Sequence, residues 1–415
     1  MSLTTARVEE ELRSAALAAI AASGTAEAEA DPALAKLNAL GTRLWLDTGN
    51  REEAQSLWRR EFTALTTNNT LANQVVQTGV LDETAKKAVR DLKVENPGIR
   101  EEELMMELGF IVNCHIALRL VGAFNAKVSV ELHPSVAEDI ERSVEYARRY
   151  YAVCPERFII KIPLTPEGYC AVARVRAEGI PVNYTLGFSA RQNYLAALLS
   201  GPSYVNVFLG RLNAVAADNG LGDGKYVGEK ATMATQDALL ELRRQGRTET
   251  LLIAASMRAA SQVYDLAGVD VYTMPPKVAR DFLAQQPDPN MLTSQIGRAF
   301  DVTFAPDADP SLFETLWTIS DSFRAMSDEL AARGGVNLTG ADIREADADH
   351  KTGLFRRFSP EEIAEIQTQG KIPLLSRWRG TGVALDDLMT MSALRSFAVD
   401  QAALDDRLRQ LSKNA

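Results

Sequence analysis

The chain is poor in several residues on which common chemistries depend. Only three histidines (His115, His133, His350) and three cysteines (Cys114, Cys154, Cys170) are spread over 415 residues. Their spacing matches no zinc or Cys-x-x-Cys pattern, which disfavours a His-rich metal site, and an odd number of scattered cysteines suits reduced thiols in a cytosolic protein. Aromatic residues make up only 7% of the chain, while alanine is abundant, as expected of a helix-rich protein. No run of about 18 apolar residues occurs, so no membrane-spanning helix is expected. No basic region followed by a long apolar core opens the chain, so the N-terminus does not read as a signal peptide. Ala15 to Ala22, preceded by Glu9, Glu10 and Glu11, reads as an alanine-rich helix, and Met1-Ser2-Leu3 as an expression remnant.

Positive charge is also in deficit. Lys and Arg number 45 against 55 Asp and Glu, a net charge of −10. That argues against a nucleic-acid groove or an anionic membrane surface as the main partner, although a local anion site needs only two or three well-placed cations. No Gly-rich dinucleotide fingerprint follows the first apolar run. Asn219-Gly220-Leu221-Gly222-Asp223-Gly224-Lys225 lacks P-loop spacing and a Ser or Thr after the lysine; it reads as a flexible surface loop. The acidic stretch Asp342 to Asp349 lacks the glycine and closing glutamate of a calcium loop and reads as a solvated face.

What is present is a set of eight short apolar or β-branched runs: Leu44–Asp47, Ala64–Thr67, Val128–Glu131, Phe158–Ile162, Pro181–Gly187, Tyr204–Gly210, Leu251–Ala255 and Val269–Met274. Most intervals between them have helical periodicity, most clearly Glu167–Gly179, Ala190–Ser200 and Ala234–Gln245. Continuous apolar strands alternating with helices imply parallel strands covered on both faces. Eight such units fit a (β/α)8 TIM barrel, of class α/β; an open doubly wound sheet is the alternative. The predicted organisation is an N-terminal helical extension over 1–40 and a barrel over 41–415, with helical additions around 284–382 and a C-terminal helix.

The most informative residue is Lys161, inside Phe158-Ile159-Ile160-Lys161-Ile162-Pro163. A lysine in such a run is paired, snorkelling to solvent or chemically employed. Removal from water disfavours an ammonium and makes the neutral amine available for Schiff-base formation with a carbonyl. Other polar residues fall where a barrel builds its active site, at the C-terminal ends of strands. Asp47, Thr66, Thr67 and Asn68, Glu131, Asn183 and Thr185, Asn206 with Phe208, and Ser256 with Arg258 are placed there. Helix capping would account for Asp47 or Asn68 singly. It does not account for Lys161 or Glu131.

Taken in order, these segments resemble the transaldolase family of class I aldolases. The resemblance is carried by Leu46-Asp47-Thr48-Gly49, Thr66-Thr67-Asn68, Val128-Ser129-Val130-Glu131 and Ile160-Lys161-Ile162-Pro163 with Thr165, Glu167 and Gly168. It continues through Val182-Asn183-Tyr184-Thr185-Leu186 with Phe188-Ser189, Phe208-Leu209-Gly210-Arg211, Ala255-Ser256-Met257-Arg258, Leu266-Ala267-Gly268-Val269-Asp270 and Leu394-Arg395-Ser396-Phe397-Ala398-Val399-Asp400-Gln401. It covers about Thr42–Phe282 and residues 390–412, and leaves 284–382 with little likeness.

The resemblance implies transfer of a dihydroxyacetone unit between sugar phosphates in the pentose phosphate pathway: sedoheptulose 7-phosphate and glyceraldehyde 3-phosphate give erythrose 4-phosphate and fructose 6-phosphate. It implies that Lys161 forms the Schiff base and that Asp47 is the acid and base on the sugar hydroxyl. Glu131 and Thr185 would hold the water that shuttles protons. Asn68 and Asn183 would orient hydroxyls and the lysine, Phe208 would fill the site, and Arg211, Ser256 and Arg258 would bind phosphate. No cofactor is implied. The partners expected are sugar phosphates, with a homodimer left open, and the location expected is the cytoplasm. An aldolase releasing free dihydroxyacetone from fructose 6-phosphate is the alternative within the class; relatives favouring it tend to have tyrosine where Phe208 stands. A non-catalytic sugar-phosphate-binding barrel is the alternative outside it. Three departures bear on substrate preference: Asn69 where proline is usual, Pro166 where tryptophan is common, and Asn206 where a serine would contact the donor's terminal hydroxymethyl group.

Overall fold

A computed structural model describes residues 6–22 and 28–415. Met1-Ser2-Leu3 and the rest of 1–5 and 23–27 lie outside the described residues. The eight expected strands are present: β1 Arg43–Asp47, β2 Phe62–Thr66, β3 Lys127–Glu131, β4 Phe158–Pro163, β5 Val182–Thr185, β6 Tyr204–Phe208, β7 Leu251–Ala255 and β8 Val271–Met274. They pair in chain order, all parallel, and β8 closes on β1. The sheet is therefore a closed barrel, with no open edge. All six residues of β4 are buried, Lys161 included. The fifth and sixth strands stop earlier than their apolar runs, because Leu186 turns to φ +68° and Leu209 begins the helix Leu209–Asp218.

Register fixes what faces what. Glu131 stands beside Lys161, and Lys161 beside Asn183, across β3, β4 and β5. Paired residues of adjacent strands project to the same face, so these three side chains share one row inside the barrel. The β5–β6 seam carries a single ladder pair, Asn183 with Tyr204. Asn206 closes the gap: its amide nitrogen donates to Tyr184 O at 2.5 Å and its amide oxygen accepts from Gly187 N at 3.2 Å.

Helices cover the barrel as expected at Pro166–Ala177, Ala190–Leu199 and Val227–Arg244. Pro166 occupies the start of its helix, where a missing N–H has no cost. The extension contains Ala6–Ala22 and Pro32–Ala39. Arg149 ties the first of these to the barrel, reaching Glu9 at 2.8 Å and buried Glu107 at 2.6 Å. The additions around 284–382 include the helices Asp321–Arg333, Gly340–His350 and Pro360–Gln369. The C-terminal helix, Leu385–Lys413, then crosses the barrel mouth. Arg191 grips its start with two bonds to Asp386, 2.7 and 2.8 Å, both partners buried. Asn69 donates to Gln401 at 2.9 Å farther along.

The helix Glu101–Phe124 is long and apolar enough to cross a membrane, with a mean hydropathy of 1.6 over its best window, but 89% of that window is buried inside the protein; it is a core helix around which others pack. Two expectations are corrected. The Gly-rich loop is no loose surface segment: Leu221 and Gly224 are buried, and Gly222 bridges to Phe304. In the acidic stretch Asp347 is buried rather than solvated, because its carboxylate accepts from Leu354 N at 2.8 Å, Phe355 N at 3.3 Å and Thr352 Oγ1.

The Arg191–Asp386 pair predicts how firmly the cap is held. Arg191→Ala leaves a buried carboxylate unpaired and is expected to cost about 3–5 kcal/mol in urea unfolding. An apolar pair, Arg191→Met with Asp386→Leu, is expected to recover most of that loss; a single-mutant cost below about 1 kcal/mol would contradict the buried pairing.

Candidate active site

A cavity of about 490 Å³ opens at the C-terminal ends of the strands. Asp47, Asn68, Lys161, Asn183, Asn206, Phe208, Arg211, Ser256 and Arg258 line it, all of them expected from sequence. Glu131 and Thr185 lie behind the lining, 3% and 0% exposed.

Lys161 is at the floor, 4% exposed. Its Nζ lies 3.0 Å from Glu131 Oε2 and donates to Thr67 O at 3.1 Å. The ring of Phe397, from the C-terminal helix, is 5.9 Å away and roofs the amine. Beyond its approach to Lys161, the Glu131 carboxylate has no hydrogen-bond partner among the described residues, nor has Thr185 Oγ1 or Asn183 Oδ1. Register sets Glu131 and Asn183 on either side of Lys161, with Thr185 two residues farther along β5.

Asp47 ends β1. Its Oδ1 accepts from Thr66 Oγ1 at 2.6 Å, and Thr66 is itself 2.6 Å from Thr273 Oγ1. Burial lifts the Asp47 carboxyl above its ordinary 3.8, against the opposing pull of Lys161 and Thr66. Burial likewise lifts Glu131 above 4.5, with Lys161 opposing. Two carboxyls disposed to hold a proton therefore flank one lysine.

Asn68 has two roles. Its Oδ1 caps the helix Asn69–Gln77 by accepting from Leu71 N at 2.9 Å, while the residue also lines the cavity. Asn69 is the first residue of that helix, a position that tolerates proline because its N–H is unpaired in any case; here its side chain instead binds Gln401. Asn206 lines the cavity but already stitches β5 to β6, which a serine would be too short to do.

The cationic side is built at β6 and β7. Arg211 is 6% exposed and has a buried Nη1 with no hydrogen-bond partner among the described residues. Its guanidinium lies 5.6 Å from the rings of both Phe208 and Phe397. Burial, with Arg258 nearby, pulls its pKa down to about 10. Ser256 holds φ +62° and Leu186 φ +68°, strained conformations at the ends of β7 and β5. Gly210 permits the close packing: a Cβ there would stand 2.0 Å from Ser256 O and 2.6 Å from the Arg258 side chain. The cavity also has lining residues that strand-end reasoning missed: Thr70, Gln74, Thr273, Lys277, Lys371 and Phe397. The resemblance had marked the Phe397 segment without a role; Lys371 had no signal, being one lysine in an unfamiliar stretch.

A family described as transaldolase/fructose-6-phosphate aldolase matches residues 44–337, well over half of the chain. The match runs past Phe282, so likeness extends farther into the additions than the motifs indicate. A Thermus thermophilus protein named probable transaldolase is 32% identical over 247 residues, covering 58% of this chain and 90% of that protein. A Kosmotoga olearia protein of the same name is 40% identical over 142 residues, 34% of this chain and 58% of that protein. One from Syntrophobacter fumaroxidans is 32% identical over 218 residues, 51% and 89% respectively. The chain belongs to the transaldolase/fructose-6-phosphate aldolase family.

The stitch by Asn206 is testable apart from any reaction. Asn206→Ser strands a buried carbonyl and a buried N–H, each costing about 1–3 kcal/mol, so a loss of about 2–6 kcal/mol in urea unfolding is expected. A neutral substitution would show that the seam does not depend on this side chain.

Proposed function

We propose that this transaldolase-type enzyme moves a three-carbon dihydroxyacetone unit from a ketose phosphate to an aldose phosphate through a Schiff base on Lys161. The observation that carries the reading is the buried Lys161 amine at the cavity floor, 3.0 Å from Glu131 and flanked by Asp47. An amine adds to a carbonyl through its lone pair, and a carboxylate within hydrogen-bond reach is available to take the proton it sheds.

The steps balance on residues of this chain. Lys161 adds to C2 of fructose 6-phosphate or sedoheptulose 7-phosphate to give a carbinolamine. Glu131, acting through a water it holds with Thr185, protonates the departing hydroxyl, which leaves as water, and the iminium forms. Asp47 removes the proton of the C4 hydroxyl; the electrons of the C3–C4 bond flow into the iminium, the aldose leaves, and an enamine stays on Lys161. Addition to an incoming aldehyde reverses these steps, with Asp47 returning its proton to the new hydroxyl. Because the iminium is the electron sink, no cofactor is required.

The remaining residues bind and orient. The Asn68 amide nitrogen, left over from capping, and Asn183 hold sugar hydroxyls. Asn206 contributes to the pocket beside the donor's terminal carbon with whatever bonding its seam leaves over. Arg211, Ser256 and Arg258 take the phosphate, a role suited to forked guanidinium donors. Transfer is preferred to release of free dihydroxyacetone because Phe208 has no hydroxyl with which to deliver a proton to the enamine. The pathway proposed is the pentose phosphate pathway and the compartment the cytoplasm.

With fructose 6-phosphate and erythrose 4-phosphate the enzyme should form sedoheptulose 7-phosphate. Equal release of free dihydroxyacetone without an acceptor would instead favour the aldolase, and turnover of neither kind a binding barrel. Asp47→Asn should lower kcat by about 10²–10⁴-fold. In the wild type, Asp47 must lose its proton to act as base, and burial holds its carboxyl above 3.8. The acidic limb of the pH profile should therefore lie at higher pH than an ordinary aspartate gives, and any residual activity of the Asn variant should lack it. Arg258→Ala should raise KM for phosphorylated substrates far more than for unphosphorylated analogues; equal effects would make Arg258 structural.

A further inference from the structure

The cavity mouth carries more positive charge than the arginine pair of β6 and β7 supplies. Lys277 and Lys371 also line it, and among the described lining residues the only carboxylate is Asp47. Lys277 is occupied by Asp281 at 2.5 Å along its own helix. Lys371 is different. It lies outside the residues matched by the family, on the strap between the helix Pro360–Gln369 and the C-terminal helix.

The backbone of this strap is fixed from three sides. Ser392 Oγ donates to Gly370 O at 2.8 Å, and Gln369 Oε1 accepts from Leu374 N at 2.9 Å. Asn219, in the Gly-rich loop that lacks P-loop spacing, donates to Pro373 O at 3.0 Å and accepts from Leu375 N at 2.8 Å. Gly370 holds φ +76°, the positive-φ turn that directs the chain into the strap. The lysine on this fixed base is itself loosely held. Its side chain is 54% exposed, and its one ion pair among the described residues is with Asp400, at 3.9 Å. Asp400 is meanwhile engaged by Thr70 and acts on Arg211 electrostatically. An ion pair this long and this exposed holds the ammonium only weakly, so Lys371 is free to leave Asp400 for a more highly charged anion such as a phosphate.

We propose that Lys371 is a substrate-binding residue whose ammonium rests against Asp400 and moves to the anionic terminus of a bound sugar phosphate, beside Arg211 and Arg258. It sets a preference for phosphorylated over neutral substrates. The strap that carries it thus makes the additions part of the active site. The inference rests on the transfer reaction proposed above for its substrate class, but not for the anion contact itself.

The test compares wild type, Lys371→Ala and Lys371→Arg with glyceraldehyde 3-phosphate and with glyceraldehyde as acceptors. Lys371→Ala should raise KM for the phosphorylated acceptor about tenfold, equivalent to one charged contact, and at least about fivefold more than for glyceraldehyde; Lys371→Arg should restore most of the difference. Equal changes with both acceptors, or none with either, would overturn the inference. Calorimetric titration with inorganic phosphate gives a readout independent of turnover. The wild type should bind phosphate and Lys371→Ala should bind it several-fold more weakly; identical affinities, or no phosphate binding by the wild type, would overturn it too. A wild type that binds phosphate through Lys371 yet turns over no sugar phosphate would remove the transfer reaction and leave this contact standing.

Discussion

An ammonium-bearing side chain buried in the floor of a closed barrel is the constraint on which the rest of this structure turns. Lys161 is 4% exposed, in a strand whose other five residues are also buried. Uncompensated, such a group costs several kcal/mol. The compensation is local: Glu131 at 3.0 Å, Thr67 O at 3.1 Å and the Phe397 ring face at 5.9 Å. Register delivers the first, since β3 and β4 pair Glu131 directly with Lys161. The same burial that makes the pair expensive lifts Glu131 and Asp47 toward their neutral forms. The amine and the two carboxyls thus face one another in a pocket where water competes little for their hydrogen bonds.

The outer parts of the chain serve that centre. The C-terminal helix is clamped at its start by Arg191 and along its length by Asn69 and Thr70. Those anchors hold Phe397 above Lys161 and against Arg211. The helix Glu101–Phe124, apolar enough for a bilayer, is a hub for the N-terminal helix and the helices around β3. Hydropathy alone could not separate these cases, because both environments exclude water from an apolar helix on nearly every side.

The barrel was legible because its signals are local. Each strand is a short apolar run between helical stretches, and each polar strand end falls within two or three residues of the run that positions it. What escaped notice depends on long-range contact. Asn206 looks like a pocket residue, and its second role appears only when β5 and β6 are seen to share a single ladder pair. Asp347 sits in a run of acids, but its carboxylate faces the backbone of Leu354 and Phe355. Lys371 lies far along the chain from every strand and reaches the cavity because Ser392 and Asn219 fix its strap. Neither periodicity nor motif spacing carries information of that kind.

The central claim is that the Lys161 amine bonds covalently to the ketose. Borohydride reduction in the presence of fructose 6-phosphate, followed by peptide mass mapping, tests it most directly. The account predicts a stable dihydroxyacetone-derived adduct on the peptide holding Lys161, and no adduct or activity in Lys161→Arg, whose guanidinium cannot attack a carbonyl. A label on another lysine, or an active enzyme that takes no label, would contradict it.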